Sequence, residues 1–216
     1  MDVLTPRSLA EALHLKAEQP DAWPVQGGTD AMVALNFDRT RPQTVLNLNE
    51  VEELRGWTRE GRTLRLGAGL TYAEIEHGEL REVLPALAEA SRTVGSPQIR
   101  NRGTIGGNLG TASPAGDAIP PLVVEDAQVE CASVRGTRLV PLAEFVTGVK
   151  RNALAPDELI AAVRLAPSGA PQTFMKIGPR NAMVIAVVSL CVSGGDELRA
   201  CFGSASPRPV LVTAPR

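Results

Sequence analysis

Gly103-Thr104-Ile105-Gly106-Gly107-Asn108 places three glycines and two small polar side chains where a backbone must come very close to something else. Five residues further on stand Ser113-Pro114, and then Asp117. Far upstream, Gly27-Gly28-Thr29-Asp30 repeats the chemistry: glycines that permit positive φ and bring amide N–H groups towards a ligand, followed by polar residues able to cap a helix. Two such loops in one chain point to a large anionic nucleotide. Taken alone, GTIGGN could equally be a turn that lets strands pack tightly, and Asp117 alone reads as a helix cap. The combination with GGTD and SPAGD moves both towards ligand binding.

The surrounding pattern mixes the two periodicities. Thr5-Pro6 opens a predicted helix running to about Gln19, with Thr5 as N-cap. Trp23-Pro24-Val25 reads as a short strand feeding the first glycine loop, and residues 30–37 as a helix rising out of it. That strand, turn and helix form an anion-binding unit. Strands are predicted at 44–48, 54–59, 63–66, 127–134, 139–145 and 158–165. Thr71 and Glu74 are spaced as a capping box for a helix over 72–77, and the apolar spacing of Leu84, Leu87 and Ala88 marks another over 84–92. Residues 98–108 hold too many glycines for a helix by propensity and are expected to be extended with sharp turns. A short helix is expected over 117–124 in spite of Pro120 and Pro121.

Ala166-Pro167-Ser168-Gly169-Ala170-Pro171 breaks both helix and strand and reads as a linker, giving a first domain over 1–168 and a second over 172–216. Three strands are predicted in the second, at 173–177, 184–192 and 198–204. So few strands cover one sheet face only, so the tail must lean on the first domain or on another subunit.

Composition narrows the class. Of 216 residues, 44% are hydrophobic and 21% charged, close to ordinary globular usage, and the net charge of -2 with scattered basic residues leaves no footprint for nucleic acid. No apolar run approaches the length of a membrane helix and the N-terminus lacks an apolar signal core, so a cytoplasmic protein without membrane insertion is expected. Cys131, Cys191 and Cys201 are widely spaced and form no metal or iron–sulfur pattern with the two histidines, so no metal site is expected and the thiols read as small core residues. His14 and His77 have no partner motif.

QGGTD at 26–30, VGSPQIRNRGTIGGN at 94–108 and TASPAGD at 111–117, in that order, resemble the FAD-binding medium subunit of the molybdenum hydroxylases, the carbon monoxide dehydrogenase and xanthine dehydrogenase relatives. The resemblance runs over residues 1 to 204. It implies an α+β protein with an FAD-binding fold of the vanillyl-alcohol-oxidase (PCMH) type in two subdomains, followed by a shortened C-terminal α+β domain of the carbon monoxide dehydrogenase flavoprotein type. It also implies FAD as cofactor, with Gly27, Gly28, Thr29 and Asp30 and the loop Thr104, Ile105, Gly106, Gly107 and Asn108 meeting the diphosphate largely through main-chain amides. Ile105 would lie close to the flavin, Asn108 and Ser113 would hydrogen-bond the flavin or its ribityl chain, and Asp117 would bind ribityl hydroxyls. Ile160 would fall near the adenine and Lys176 near the isoalloxazine. No catalytic side chain is needed, because flavin does the redox work.

By the same resemblance, the partners are an iron–sulfur subunit, a molybdenum-cofactor subunit and an electron acceptor, whether NAD, oxygen or a quinone. Relatives continue past the point matching Arg216, so the remainder is either missing or supplied by another chain. Two other readings stand beside this one. A stand-alone FAD-dependent reductase of the same superfold would need a general acid that no Ser or Glu here supplies in a convincing setting. A flavin-poor assembly module would follow if the short second domain failed to cover the cofactor.

Overall fold

The computed structural model describes residues 1–215. The chain opens with a parallel three-stranded sheet. Strand β1 (Asp2–Leu4) is followed by helix α1 (Leu9–Glu18), strand β2 (Trp23–Val25), helix α2 (Thr29–Asn36) and strand β3 (Thr44–Asn47), with β3 in the middle of the sheet. Helix α1 starts later than the Thr5-Pro6 signal suggests. Ser8 is its N-cap, its side chain accepting from the Glu11 N–H at 3.2 Å.

A five-stranded antiparallel sheet follows. Strands β4 (Trp57–Glu60) and β5 (Thr63–Gly67) form a hairpin; helices α3 (Tyr72–His77), α4 (Leu80–Val83), α5 (Pro85–Arg92), α6 (Pro97–Arg100), α7 (Ile105–Thr111) and α8 (Ile119–Val124) come next; then β6 (Gln128–Ser133) and β7 (Gly136–Pro141) return to the sheet. After helix α9 (Leu142–Phe145) and the small pair β8 (Val146–Gly148) and β9 (Arg151–Asn152), strand β10 (Leu159–Leu165) inserts between β5 and β6. Apart from Arg164, every residue of β10 is buried, as its nearly unbroken apolar run requires of a central strand.

Strands β11 (Gln172–Ile177), β12 (Val188–Gly194), β13 (Glu197–Gly203) and β14 (Val210–Pro215) form an antiparallel meander. Residues 184–187 stand outside β12, and β14 goes beyond the three expected strands, with Pro207 and Pro209 just before it and Pro215 as its last residue. The inner face of this sheet, carrying Phe174, Cys191 and Cys201, packs on α5 and α8. All six residues of α8 are buried, and Pro120 and Pro121 are tolerated because they occupy its first turn, where no amide is needed. The outer face presents Met175, Ile177, Leu198 and Val212 to solvent.

The linker is pinned to the first unit by buried Glu125, which accepts from the Ser168 N–H at 2.7 Å and the Ser168 hydroxyl at 2.8 Å. The three cysteines are free and buried. Burial raises their thiols, Cys131 to about 11 and Cys191 and Cys201 to about 12. Among the described residues no helix is long and apolar enough to cross a membrane.

Candidate functional site

The two glycine loops touch. A Cβ on Gly27 would stand 2.1 Å from the carbonyl oxygen of Arg102 and 3.1 Å from the Cα of Gly103, so only a bare backbone permits the contact. Of the glycines in the two loops, Gly28 alone needs a left-handed conformation, with φ at +77°, and it is the N-cap of α2. No side chain caps that helix, and its first intrahelical bond runs from the Met32 N–H to Gly28 O at 2.8 Å. The amides of Thr29, Asp30 and Ala31 therefore stand at the positive end of the helix without an intrahelical acceptor.

The second loop is built differently from expectation. Thr104 caps α7, its hydroxyl accepting from the Gly107 N–H at 3.0 Å. The Ile105 and Gly106 amides donate to Leu70 O and Ala68 O at 3.0 and 2.8 Å, and Asn108 N–H donates to Thr104 O at 3.0 Å. GTIGGN is thus a strand-like bridge turning into a helix rather than an extended segment, with the amides of Ile105, Gly106, Gly107 and Asn108 taken up inside the protein, whereas those at the start of α2 have no intrahelical acceptor. Gly106 is glycine for proximity: a Cβ would stand 2.6 Å from the Cβ of Ala68. Gly107 faces outward with only the Thr104 hydroxyl nearby, at 3.1 Å from where a Cβ would sit.

Helices α7 and α2 are also tied by side chains. The Thr111 hydroxyl donates to Asp30 at 2.9 Å, so Asp30 is engaged in holding the loops together. Thr111 was not singled out in the sequence, nor was Gly67-Ala68-Gly69-Leu70, whose carbonyls receive α7. Its repeated glycines were the available signal. Gly69 is bare for the same kind of reason, since a Cβ there would meet the Gln26 side chain at 2.2 Å.

Beyond α7 the chain turns at Ser113, whose hydroxyl accepts from the Ala115 N–H at 3.3 Å while its carbonyl accepts from Gly116 N–H at 2.9 Å. This brings Gly116 against the Asn108 amide, 2.9 Å from a Cβ position to Asn108 Oδ1. That oxygen is sealed from solvent and has no hydrogen-bond partner. Next to Gly116 in sequence, Asp117 pairs through Oδ2 with Lys176 Nζ at 2.6 Å, while its Oδ1 is also buried and unpartnered. Burial pushes the Asp117 carboxyl up, and the Lys176 ammonium offsets part of the rise. Lys176 spends its remaining protons on Thr93 O at 2.9 Å and Val184 O at 3.2 Å, clasping β11 to the end of α5. Ile160 is 8% exposed at a bulge of β10, its Cδ1 3.8 Å from the Cβ position of Gly110 in α7.

These donors and acceptors sort as a flavin dinucleotide would need. Open amides at the start of α2 suit phosphate oxygens, whereas the orphaned oxygens of Asn108 and Asp117 suit donors such as hydroxyl or ring N–H groups. FAD carries both kinds, and the residues present fit it.

Comparison with known proteins agrees. Residues 1–167 match the family described as FAD binding domain in molybdopterin dehydrogenase. The putative xanthine dehydrogenase FAD-binding subunit of Escherichia coli K12 is 34% identical over 214 residues, covering 94% of this chain and 73% of that protein. The nicotinate dehydrogenase FAD-subunit of Eubacterium barkeri is 37% identical over 195 residues, covering 87% and 66%. Among solved structures, carbon monoxide dehydrogenase from Hydrogenophaga pseudoflava superposes with a TM-score of 0.91 at 25% identity, covering 98% of this chain and 77% of that one. Quinoline 2-oxidoreductase from Pseudomonas putida 86 gives 0.92 at 24%, covering 98% and 76%, a likeness of fold alone.

Proposed function

The chain belongs to the FAD-binding family of the molybdopterin dehydrogenases, and from that premise we propose that it is the electron-transfer subunit of a heteromeric molybdenum hydroxylase. Its partners are then an iron–sulfur subunit that delivers electrons and a molybdenum-cofactor subunit where substrate is oxidised. FAD, when bound, supplies the electron exchange that links the iron–sulfur donor to an external acceptor. The chain's own residues bind and orient the group. The first turn of α2, with Gly27 and Gly28 holding it against Gly103, takes the diphosphate through N–H groups, so a protein of net charge -2 needs no lysine for it. Asn108 and Asp117 accept from hydroxyl or ring N–H donors, Ser113 shapes the turn between them, and Ile160 supplies apolar wall, whereas Ile105 is 0% exposed and supports the loop from within the core. Lys176 offsets part of the burial that disfavours the Asp117 carboxylate and fixes β11 beside it.

The acceptor reaches the site through a cleft of about 700 Å³ beside Lys176, between α5–α6 and residues 177–184. Arg92 and Arg180 line it together with Arg100, whose charge is met by Glu76 at 2.9 Å, and the remaining positive charge favours an anionic acceptor such as a nicotinamide dinucleotide over oxygen or a quinone.

The observation that carries this reading is the junction of the two loops beside two sealed, unpartnered oxygens. The test is a titration of the full chain with FAD, followed by flavin absorbance and fluorescence quenching. Stoichiometric uptake at micromolar FAD is expected, with co-purification of the larger subunits on co-expression. Absence of binding with a folded protein would overturn it.

A further inference from the structure

Tyr72 lies at the seam of the two loops and has so far been given no role. It opens α3 directly after Thr71, which forms an isolated antiparallel bridge with Thr104. Its N–H donates to Gly103 O at 3.1 Å, and its ring covers Gly103 closely, with Cε2 3.0 Å from where a Cβ would sit. The ring therefore explains why residue 103 is glycine. The hydroxyl remains to be explained.

Tyr72 is 4% exposed, and a phenol that deeply placed normally finds a hydrogen-bond partner. Among the described residues none meets it. Nor is its oxygen among the sealed, unpartnered atoms, so the little exposure left to Tyr72 includes the hydroxyl. Burial, then Asp117, then Asp30 hold its proton far above the usual phenol range. The group is thus within electrostatic reach of Asp30 in the first loop and of Asp117 in the turn beyond α7, and it stays a neutral donor. Both of these neighbours are acceptors, Asp117 and Asp30. An anionic ligand threading from the start of α2 towards Asp117 passes two carboxylates, and a neutral O–H donor there gives its oxygens a partner.

We propose that Tyr72 is a cofactor-positioning residue, its hydroxyl donating to an oxygen of the FAD chain between the adenine and the flavin. The inference rests on the reading that this chain binds FAD, and the experiment separates the two. Apo-protein carrying Tyr72→Phe keeps the ring over Gly103 and loses only the donor. Its melting temperature without flavin should equal that of the parent, while the Kd for FAD, measured by fluorescence quenching, should rise about five- to tenfold. Titration with riboflavin, which has the ribityl chain and no diphosphate, locates the partner. An equal rise for both ligands places it on the ribityl chain, and a rise for FAD alone places it on the diphosphate. Unchanged Kd for FAD in Tyr72→Phe overturns the assignment of Tyr72 and leaves the FAD reading intact. A loss of apo stability matched by no change in Kd also overturns it, since the ring and hydroxyl would then be structural. Failure of the folded parent chain to bind FAD defeats the underlying reading instead.

Discussion

Lys176 Nζ stands 2.6 Å from Asp117 Oδ2 in a setting where both side chains are nearly sealed, so one ion pair joins the C-terminal sheet to the turn that follows α7. The pair is costly to break from either side. Lys176→Met leaves a buried carboxylate facing no cation, and truncating one partner of such a pair costs about 3–5 kcal/mol. Denaturant unfolding should show that loss, and Lys176→Met combined with Asp117→Asn should recover part of it. The pH dependence follows from the direction of the shift. The Asp117 carboxyl sits above its ordinary value when folded, so its contribution is fully present below the unfolded value and is lost as pH rises through the folded one. Removing Lys176 raises the folded value further. Stability of Lys176→Met should therefore decline towards neutral pH more steeply than that of the parent.

Glu130 titrates with the opposite sign. Burial pushes its carboxyl up, but hydrogen bonds from Arg65 and Arg164 across β5, β6 and β10 outweigh burial and hold it below the usual carboxylate range. Its contribution is present above the unfolded value and is lost as pH falls through the folded one. Glu130→Gln should flatten the acid limb of the stability curve and leave FAD affinity unchanged, because its carboxylate meets Arg65 and Arg164 and none of the loop residues.

The glycines of the two loops separate packing from ligand contact. Gly106→Ala drives a Cβ into Ala68 at 2.6 Å and should destabilise the fold by about 1–3 kcal/mol. Gly27→Ala meets the Arg102 carbonyl at 2.1 Å and must part the loops, so thermal stability and FAD affinity should fall together. Gly107→Ala meets only the Thr104 hydroxyl at 3.1 Å. Its melting temperature should change little, and a selective loss of FAD binding would mark the outward face of α7 as lying against the cofactor.

Most local signals in the sequence hold where the interactions themselves are local, although Ser8 and not Thr5 caps α1. The Thr71–Glu74 capping box is present with both of its bonds, and Gly28 delivers the chain into α2 as its spacing implies. Helix α7 is not legible in the sequence because four glycines within Ile105–Thr111 and its approach argue against helix by propensity, whereas the deciding partners, Ala68 O and Leu70 O, lie on a distant segment. Strand β1 is equally invisible, since its three residues are extended only by pairing with β3. The positions of Asn108 and Asp117 followed from motif, but not their unpartnered oxygens. Nor could motif reveal that Lys176, 59 residues from Asp117, would be its counter-ion.

Those unpartnered oxygens imply a trade between stability and binding. A buried acceptor left without a donor costs about 1–3 kcal/mol, and in the flavin-free protein Asn108 Oδ1 bears that cost. Asn108→Leu is close in volume and removes the polar group, so the apo-protein should melt higher than the parent. The same change deletes an acceptor that the cofactor is expected to use, so the Kd for FAD should rise about tenfold and the gain in melting temperature on adding FAD should shrink. Calorimetry with and without FAD measures both. A variant less stable in both states would mean that Asn108 is an ordinary packing residue, whereas opposite signs in the two states would mean that the fold keeps this oxygen unsatisfied for its ligand.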